Sequence, residues 1–292
     1  MIRWFLGCLI LYSFKTWASG AWYQATRQIP QDKGAKFIPE FVILKVGIFS
    51  KQGRLTITPE ASKTSLKTHC KTGTPTIGWI THRLSAGEQL NENAGKLLGS
   101  EISKALEPAC FSAIELDIEP LSQAETWLEP FLKGVKLSLR SNFELRLAIP
   151  VLSPKSVPGH YWTLQDGVKA LQWVDGLDIM AYDSGVKTSE EYKELFKNTF
   201  FFVMELNKQS PEKKIIVGLP AYPDKTKLHS VEKENLESIL STLKSFTPFQ
   251  LKPYCKGDIR FSFYAGWTLS PKDIETHQQM KDWKNETCQK SS

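Results

Sequence analysis

Short apolar runs punctuate this chain at a steady interval, and the stretches between them carry the periodicity of helices. The runs are Trp22 to Ala25, Phe41 to Phe49, Thr76 to Thr81, Ala113 to Glu119, Leu145 to Val151, Val174 to Ala181, Lys214 to Pro220 and Arg260 to Trp267. Most begin about thirty to forty-five residues after the previous one, the length of a strand and its following helix. Between them, Leu128, Phe131, Leu132, Val135 and Leu139 form an apolar stripe behind a capping-box sequence, Ser122-Gln123-Ala124-Glu125. Pro130 lies close enough to the start of that helix to be tolerated with a kink. Thr188 and Glu191 open a second capped helix through Tyr192, Leu195 and Phe196. Two segments break the alternation: Ala25 to Glu40 is too short for a full helix, and Arg54 to Thr58 reads as an added hairpin strand. Eight strands alternating with helices, with no glycine-rich phosphate loop, predict an α/β fold of the (β/α)8 or TIM-barrel type rather than a doubly wound sheet. A single domain over residues 21–292 is a routine length for it.

The fourth run carries a second pattern. Residues Ser112 to Pro120 read S-A-I-E-L-D-I-E-P, so Glu115, Asp117 and Glu119 alternate with Ile114, Leu116 and Ile118. In a strand the three acids share one face and the three aliphatics the other. Like charges this close repel, and crowding raises the proton affinity of at least one carboxylate, which is how a general acid stays protonated near neutrality. Pro120 ends the strand and puts Glu119 at its carboxyl end, the end that forms the active-site face of a barrel. The alternative is a solvated acidic edge strand. That alternative explains Glu119 least well, because an acid ending a barrel strand beside another acid does little for stability.

Met1 to Gly20 has the layout of a secretory signal: Arg3, an apolar stretch from Trp4 to Phe14, then small residues at Ala18, Ser19 and Gly20. The stretch is too short to span a bilayer, and no later segment is longer, so the expected product is secreted or periplasmic without a membrane span. Removing the signal leaves Cys70, Cys110, Cys255 and Cys288. An even number in an exported chain favours two disulfides; of the three possible pairings, neighbours in sequence are expected, Cys70 with Cys110 and Cys255 with Cys288. No C-x-x-C pair occurs and the five histidines are scattered singly, so neither a metal nor another cofactor is expected. The net charge of +6 comes from lysines spread along helical stretches rather than clustered with aromatics, which argues against a nucleic-acid partner.

Four other strand ends carry groups suited to a sugar. Asp178 to Asp183 ends the sixth run with Tyr182 and Asp183, Ala148 to Pro150 ends the fifth, Gly218 to Tyr222 the seventh, and Tyr264 to Trp267 the eighth. Together these segments resemble the chitinase-like family eighteen glycoside hydrolases. The family's fourth-strand pattern Asp-x-x-Asp-x-Asp-x-Glu is met by Ser112, Glu115, Asp117 and Glu119. Its Met-x-Tyr-Asp is met by Met180, Tyr182 and Asp183, its Gly-Leu-Pro-x-Tyr by Gly218 to Tyr222, and its eighth-strand tryptophan by Trp267. The resemblance spans roughly Ser112 to Ser270 and implies a retaining mechanism in which the substrate's own acetamido group is the nucleophile. It implies Glu119 as acid and then base, Asp117 orienting the acetamido group, and Tyr182 bonding its carbonyl. Glu115, Asp183, Tyr222 and Trp267 make up the expected substrate-binding group, with Trp267 stacking on the ring and Glu115 perturbing Asp117 from deeper in the barrel.

Three departures bear on this. Ser112 and Glu115 replace the first two aspartates of the pattern, and Pro120 stands where an aromatic often follows the acid. Ser112 and Glu115 stand at positions that tune the catalytic pair rather than carry the chemistry, whereas Pro120 bears on the substrate subsites. Each residue also has a plainer reading: Trp267 as a plug of the barrel mouth, Tyr182 as a buried phenol bonded to Asp117, Gly218 to Pro220 as turn geometry, and His82 as a satisfied polar histidine. Three functions stay open at this point. One is an exported hydrolase of β-linked N-acetylhexosamine glycans. Another is a lectin-like barrel that binds carbohydrate without cleaving it, and the third is a two-carboxylate hydrolase of sugars lacking the acetamido group.

Overall fold

A computed structural model describes residues 19–24, 40–58, 73–106, 110–121, 124–151, 162–223, 228–264 and 268–290. Among the described residues nine strands run in order: β1 (Ser19–Gln24), β2 (Phe41–Phe49), β3 (Leu55–Ile57), β4 (Thr76–Arg83), β5 (Ala113–Glu119), β6 (Glu144–Pro150), β7 (Gly176–Met180), β8 (Lys214–Pro220) and β9 (Ile259–Tyr264). All except β3 pair in parallel with the next barrel strand, and β1 pairs with both β2 and β9, which closes the ring. The eight-stranded barrel expected from the spacing is therefore the fold. The short β3 folds back antiparallel on β2, as the hairpin reading of Arg54 to Thr58 anticipates. β1 begins at Ser19, two residues inside the stretch expected to be a signal; residues 1–18 lie outside the described residues.

Seven described helices surround the ring: α1 (Glu92–Ala105), α2 (Leu128–Ser138), α3 (Leu164–Leu171), α4 (Ser189–Gln209), α5 (Leu236–Lys244), α6 (Pro248–Lys256) and α7 (Pro271–Lys290). Strand alternation divides the apolar residues into two sets. One set, including Leu145, Leu147, Ile149, Leu177 and Ile179, packs outward against the helices. The smaller set fills the inside of the ring: Phe41, Ile43, Ile77, Trp79, Ala113 and Ile216, with Tyr264 against them. Ala113 shares its face with Glu115, Asp117 and Glu119, so the acidic face of β5 points into the barrel rather than to solvent.

Local expectations fared differently. Leu128, Phe131, Leu132, Val135 and Leu139 are all buried, and the Thr188–Glu191 box caps α4 as expected. The helix after β5 starts later than its capping-box sequence suggests. Its first residue is Leu128, its N-cap Trp127 has no side-chain cap bond, and Ser122 and Gln123 lie outside the described residues. Pro130 thereby falls in the first turn, where its missing N–H has no intrahelical partner to lose. The close approach of α1 and α2 depends on glycine: a β-carbon on Gly95 would sit 2.2 Å from the Phe131 carbonyl, and one on Gly134 would sit 2.3 Å from that of Glu92. Cys255 on α6 is bonded to Cys288 on α7, the pairing expected for these two. Cys110 is also disulfide-bonded, and Cys70 lies outside the described residues.

Candidate active site

The site is built on the inward face of β5. Glu115 is 1% exposed and Asp117 5%, whereas Glu119, the last residue of the strand, is exposed at the mouth. Asp117 Oδ2 accepts a 3.0 Å hydrogen bond from the indole N–H of Trp79 on β4. Among the described residues no donor reaches its buried Oδ1. Burial, reinforced by the charge of Glu119, pushes the Asp117 carboxyl up to about 7, against the pull of the Trp79 bond and the Lys45 ammonium. Lys45, on β2, also lies 5.2 Å over the face of the Trp79 ring. The carboxylate crowding expected on β5 is therefore present.

Glu115 faces a different partner. It is in register with Arg146 on β6, and Arg146 in turn with Gly176 on β7. A β-carbon on Gly176 would lie 2.4 Å from the guanidinium, so glycine is what leaves room for Arg146 to lie across the inside of the ring. There Arg146 donates to both oxygens of Asp178 and to the carbonyls of Leu177 and Lys214. The pair is fully enclosed, with side chains 1% and 0% exposed. Burial alone would loosen the guanidinium's proton, but Asp178, with Glu115 and Glu144, more than offsets it. This layer is a buried ion-paired floor beneath Asp117, and Glu115 belongs to it rather than to the mouth.

Tyrosines form the opposite wall. Tyr182, just past β7, is buried; burial and the charges of Tyr264, Asp117, Glu115 and Asp183 push its phenol well above its ordinary value, so it keeps its proton and can donate. Its ring stacks on Tyr264 at 4.6 Å and meets Tyr222 edge-on at 6.3 Å, while Tyr264 touches the edge of Trp79 at 6.4 Å. The Tyr222 hydroxyl donates to Asp183 Oδ1 at 2.6 Å. Burial pushes the Asp183 carboxyl up, and the Tyr222 bond pulls it back. The structure thus gathers Asp117, Glu119, Tyr182, Asp183 and Tyr222 at the carboxyl end of the barrel. Trp267 lies outside the described residues. His82 has both ring nitrogens occupied, by the Phe49 carbonyl at 2.7 Å and Glu88 at 2.8 Å, which matches its plainer reading. Among the described residues no cluster of three or more metal-binding side chains occurs. No described helix is long and apolar enough to cross a membrane.

The backbone as a whole superposes on known enzymes. A chitinase from Chromobacterium violaceum matches with a TM-score of 0.60 at 15% identity, over 90% of this chain and 98% of that one. The fold is that of chitinases. A Bacteroides thetaiotaomicron chitinase matches with a TM-score of 0.59 at 13% identity, covering 89% and 93% of the two chains. The Bacillus cereus spore cortex-lytic enzyme SleL matches with 0.57 at 14% identity over 89% of this chain and 73% of its own. No protein-family model and no curated protein sequence matches the chain. The resemblance seen in the motifs thus extends to the fold of the whole barrel.

Sequence reading overlooked Trp79, Lys45 and Arg146, all on inward faces of barrel strands. Each alternates with apolar neighbours (Lys45 between Leu44 and Val46, Arg146 between Leu145 and Leu147), the same signal that singled out β5.

Proposed function

We propose that this chain is an exported glycoside hydrolase that cleaves β-linked N-acetylhexosamine glycans with retention, using the substrate's acetamido group as nucleophile. The observation that carries the reading is a buried Asp117, its carboxyl pushed up to about 7, two residues before an exposed Glu119, with the protonated Tyr182 phenol close by. In the first step Glu119 gives its proton to the glycosidic oxygen as that bond breaks. The acetamido carbonyl oxygen bonds to the anomeric carbon, closing an oxazolinium ring whose N–H is held by Asp117 and whose oxygen is approached by the Tyr182 hydroxyl. Glu119, now a carboxylate, then takes a proton from water as that water opens the ring, which restores the acid and retains the anomeric configuration. Glu115, tied electrostatically to Arg146, keeps the floor in place and makes no sugar contact.

The deciding experiment is inhibition by a thiazoline mimic of the cyclised intermediate, run beside hydrolysis of chito-oligosaccharides. Such mimics bind far more tightly than substrate when the enzyme is shaped to the intermediate. Affinity for it should fall about ten- to a hundredfold in Asp117→Ala, the loss of one charge-assisted hydrogen bond, and by less in Tyr182→Phe, whose neutral phenol meets the weakly accepting ring sulfur. Hydrolysis without inhibition would replace this reading by the two-carboxylate mechanism. Tight binding without cleavage would replace it by the lectin.

Trp79 gives a pH test of the same arrangement. Its N–H stabilises ionised Asp117, so Trp79→Phe, which keeps a ring against Tyr264, raises the proton affinity of the Asp117–Glu119 pair. The active form carries one proton on the pair, so the pH–rate profile should move to higher pH, its two limbs together by about one unit, with kcat reduced roughly tenfold. An unmoved profile, or one displaced to lower pH, would mean that the indole does not act on Asp117.

A further inference from the structure

Behind the tyrosine wall lies a closed circuit of hydrogen bonds that the proposed chemistry does not use. Glu234, in the loop leading to α5, is 1% exposed. Its Oε2 accepts from the backbone N–H of Asp183 at 3.0 Å and faces His229 Nδ1 at 2.8 Å. Its Oε1 accepts from the backbone N–H of Ser184 at 2.9 Å and from the Ser184 hydroxyl. Three donors and the His229 ring nitrogen surround one buried carboxylate, an arrangement that survives burial only because its oxygens are met by polar partners. His229 continues the circuit: its Nε2 meets the Tyr222 carbonyl at 3.1 Å, and its ring stacks on that of Tyr222 at 3.9 Å. The Tyr222 hydroxyl closes it on the Asp183 carboxylate at 2.6 Å.

Asp183 is also where the backbone is strained. Its φ is +52°, the one non-glycine residue of positive φ among the described residues. A β-carbon makes that left-handed conformation uncommon, Asp tolerates it better than most residues, and such positions gather at functional sites. Glu234 holds it there by gripping two successive N–H groups, those of Asp183 and Ser184. The strain is thus spent on aiming one side chain, the carboxylate that accepts from the Tyr222 hydroxyl.

We propose that Glu234, acting with His229, is a positioning residue for the glycosidase site. It locks the loops after β7 and β8 together so that the Asp183 carboxylate and the Tyr222 phenol stand in one fixed orientation toward the sugar. The inference rests on the glycosidase reading but concerns residues that reading leaves idle. Neither Glu234 nor His229 touches substrate, and both act through Asp183.

The test is a double-mutant cycle between Glu234→Gln and Asp183→Asn, followed as kcat/KM on a chito-oligosaccharide alongside thermal unfolding. The glutamine keeps the shape, but its amide sets an N–H₂ against either the Ser184 donors or the Asp183 donor and the His229 ring. In the wild-type background kcat/KM should fall about ten- to a hundredfold, the scale of a misplaced substrate-positioning group. In the Asp183→Asn background the same change should cost less than about twofold, because residues acting as a unit are not additive. His229→Phe, which keeps the stacked ring and removes both hydrogen bonds, should show the same non-additivity and serves where Glu234→Gln folds poorly. Equal losses in both backgrounds, tracking the fall in Tm, would show a merely structural role and overturn the proposal. A wild-type protein that neither cleaves nor binds the oligosaccharide would instead defeat the glycosidase reading itself. A wild type that binds without cleaving is put through the same cycle in Kd, with the same two outcomes.

Discussion

Glu119→Gln should abolish hydrolysis while leaving glycan affinity and the fold nearly intact. The amide has the shape of the acid but no proton to give, and general acid catalysis is worth about a hundred- to ten-thousandfold. The site makes this a clean experiment. Glu119 is exposed at the end of β5, and its bond from the Leu84 N–H at 2.6 Å is to its backbone carbonyl, which the substitution leaves in place. Exposed changes of this kind usually shift stability by no more than about 0.5 kcal/mol. Turnover of a chito-oligosaccharide and its Kd by calorimetry, measured on the same preparations, separate the outcomes. Turnover near that of the wild type would reject Glu119 as the acid. Loss of affinity as large as the loss of rate would make Glu119 a binding group.

The parts of this molecule that could be read from sequence are those where one strand carries its whole signal. β2, β5 and β8 have the predicted bounds, because each is an apolar or alternating run with a clear stop at its end. β7 is shorter than its run, since Val174 and Asp175 belong to the connection that follows the turn at Gln172 and Trp173. The start of α2 was misplaced because a capping-box sequence is a local preference, and here the chain turns after Trp127 without using a side-chain cap. The inside of the barrel was half legible. The alternation that put Asp117 and Glu119 on one face of β5 occurs again as Glu144-Leu145-Arg146-Leu147-Ala148 and Gly176-Leu177-Asp178-Ile179. Ring closure turns those polar faces inward too, but an isolated arginine between leucines looks like a solvent-facing residue until neighbouring strands are placed beside it. The Glu234–His229 circuit has no periodicity to reveal it. It joins two loops fifty residues apart, counting from Ser184 to Glu234, and only the register of β7 against β8 brings them together.

The floor beneath Asp117 makes the largest expected stability effect in the chain. Arg146 and Asp178 are both enclosed, and Glu115 lies close enough to share the positive charge. Arg146→Met, similar in length but uncharged, leaves two buried carboxylates without their cation. Breaking a buried pair in this way typically costs about 3–5 kcal/mol. For a domain of this size that corresponds to a fall in Tm of roughly 6–20 °C. Adding Asp178→Leu should recover more than half of the loss, because replacing a whole buried pair by apolar groups of similar volume is often close to neutral. What remains is the cost of Glu115, still buried, and a third change to Gln at that position should recover most of it. Thermal or urea unfolding of the three variants gives the ladder directly. A cost below about 1 kcal/mol for Arg146→Met would mean that the ring interior admits enough water to solvate Asp178, and the view of this layer as a dry, ion-paired support for Asp117 would have to be given up.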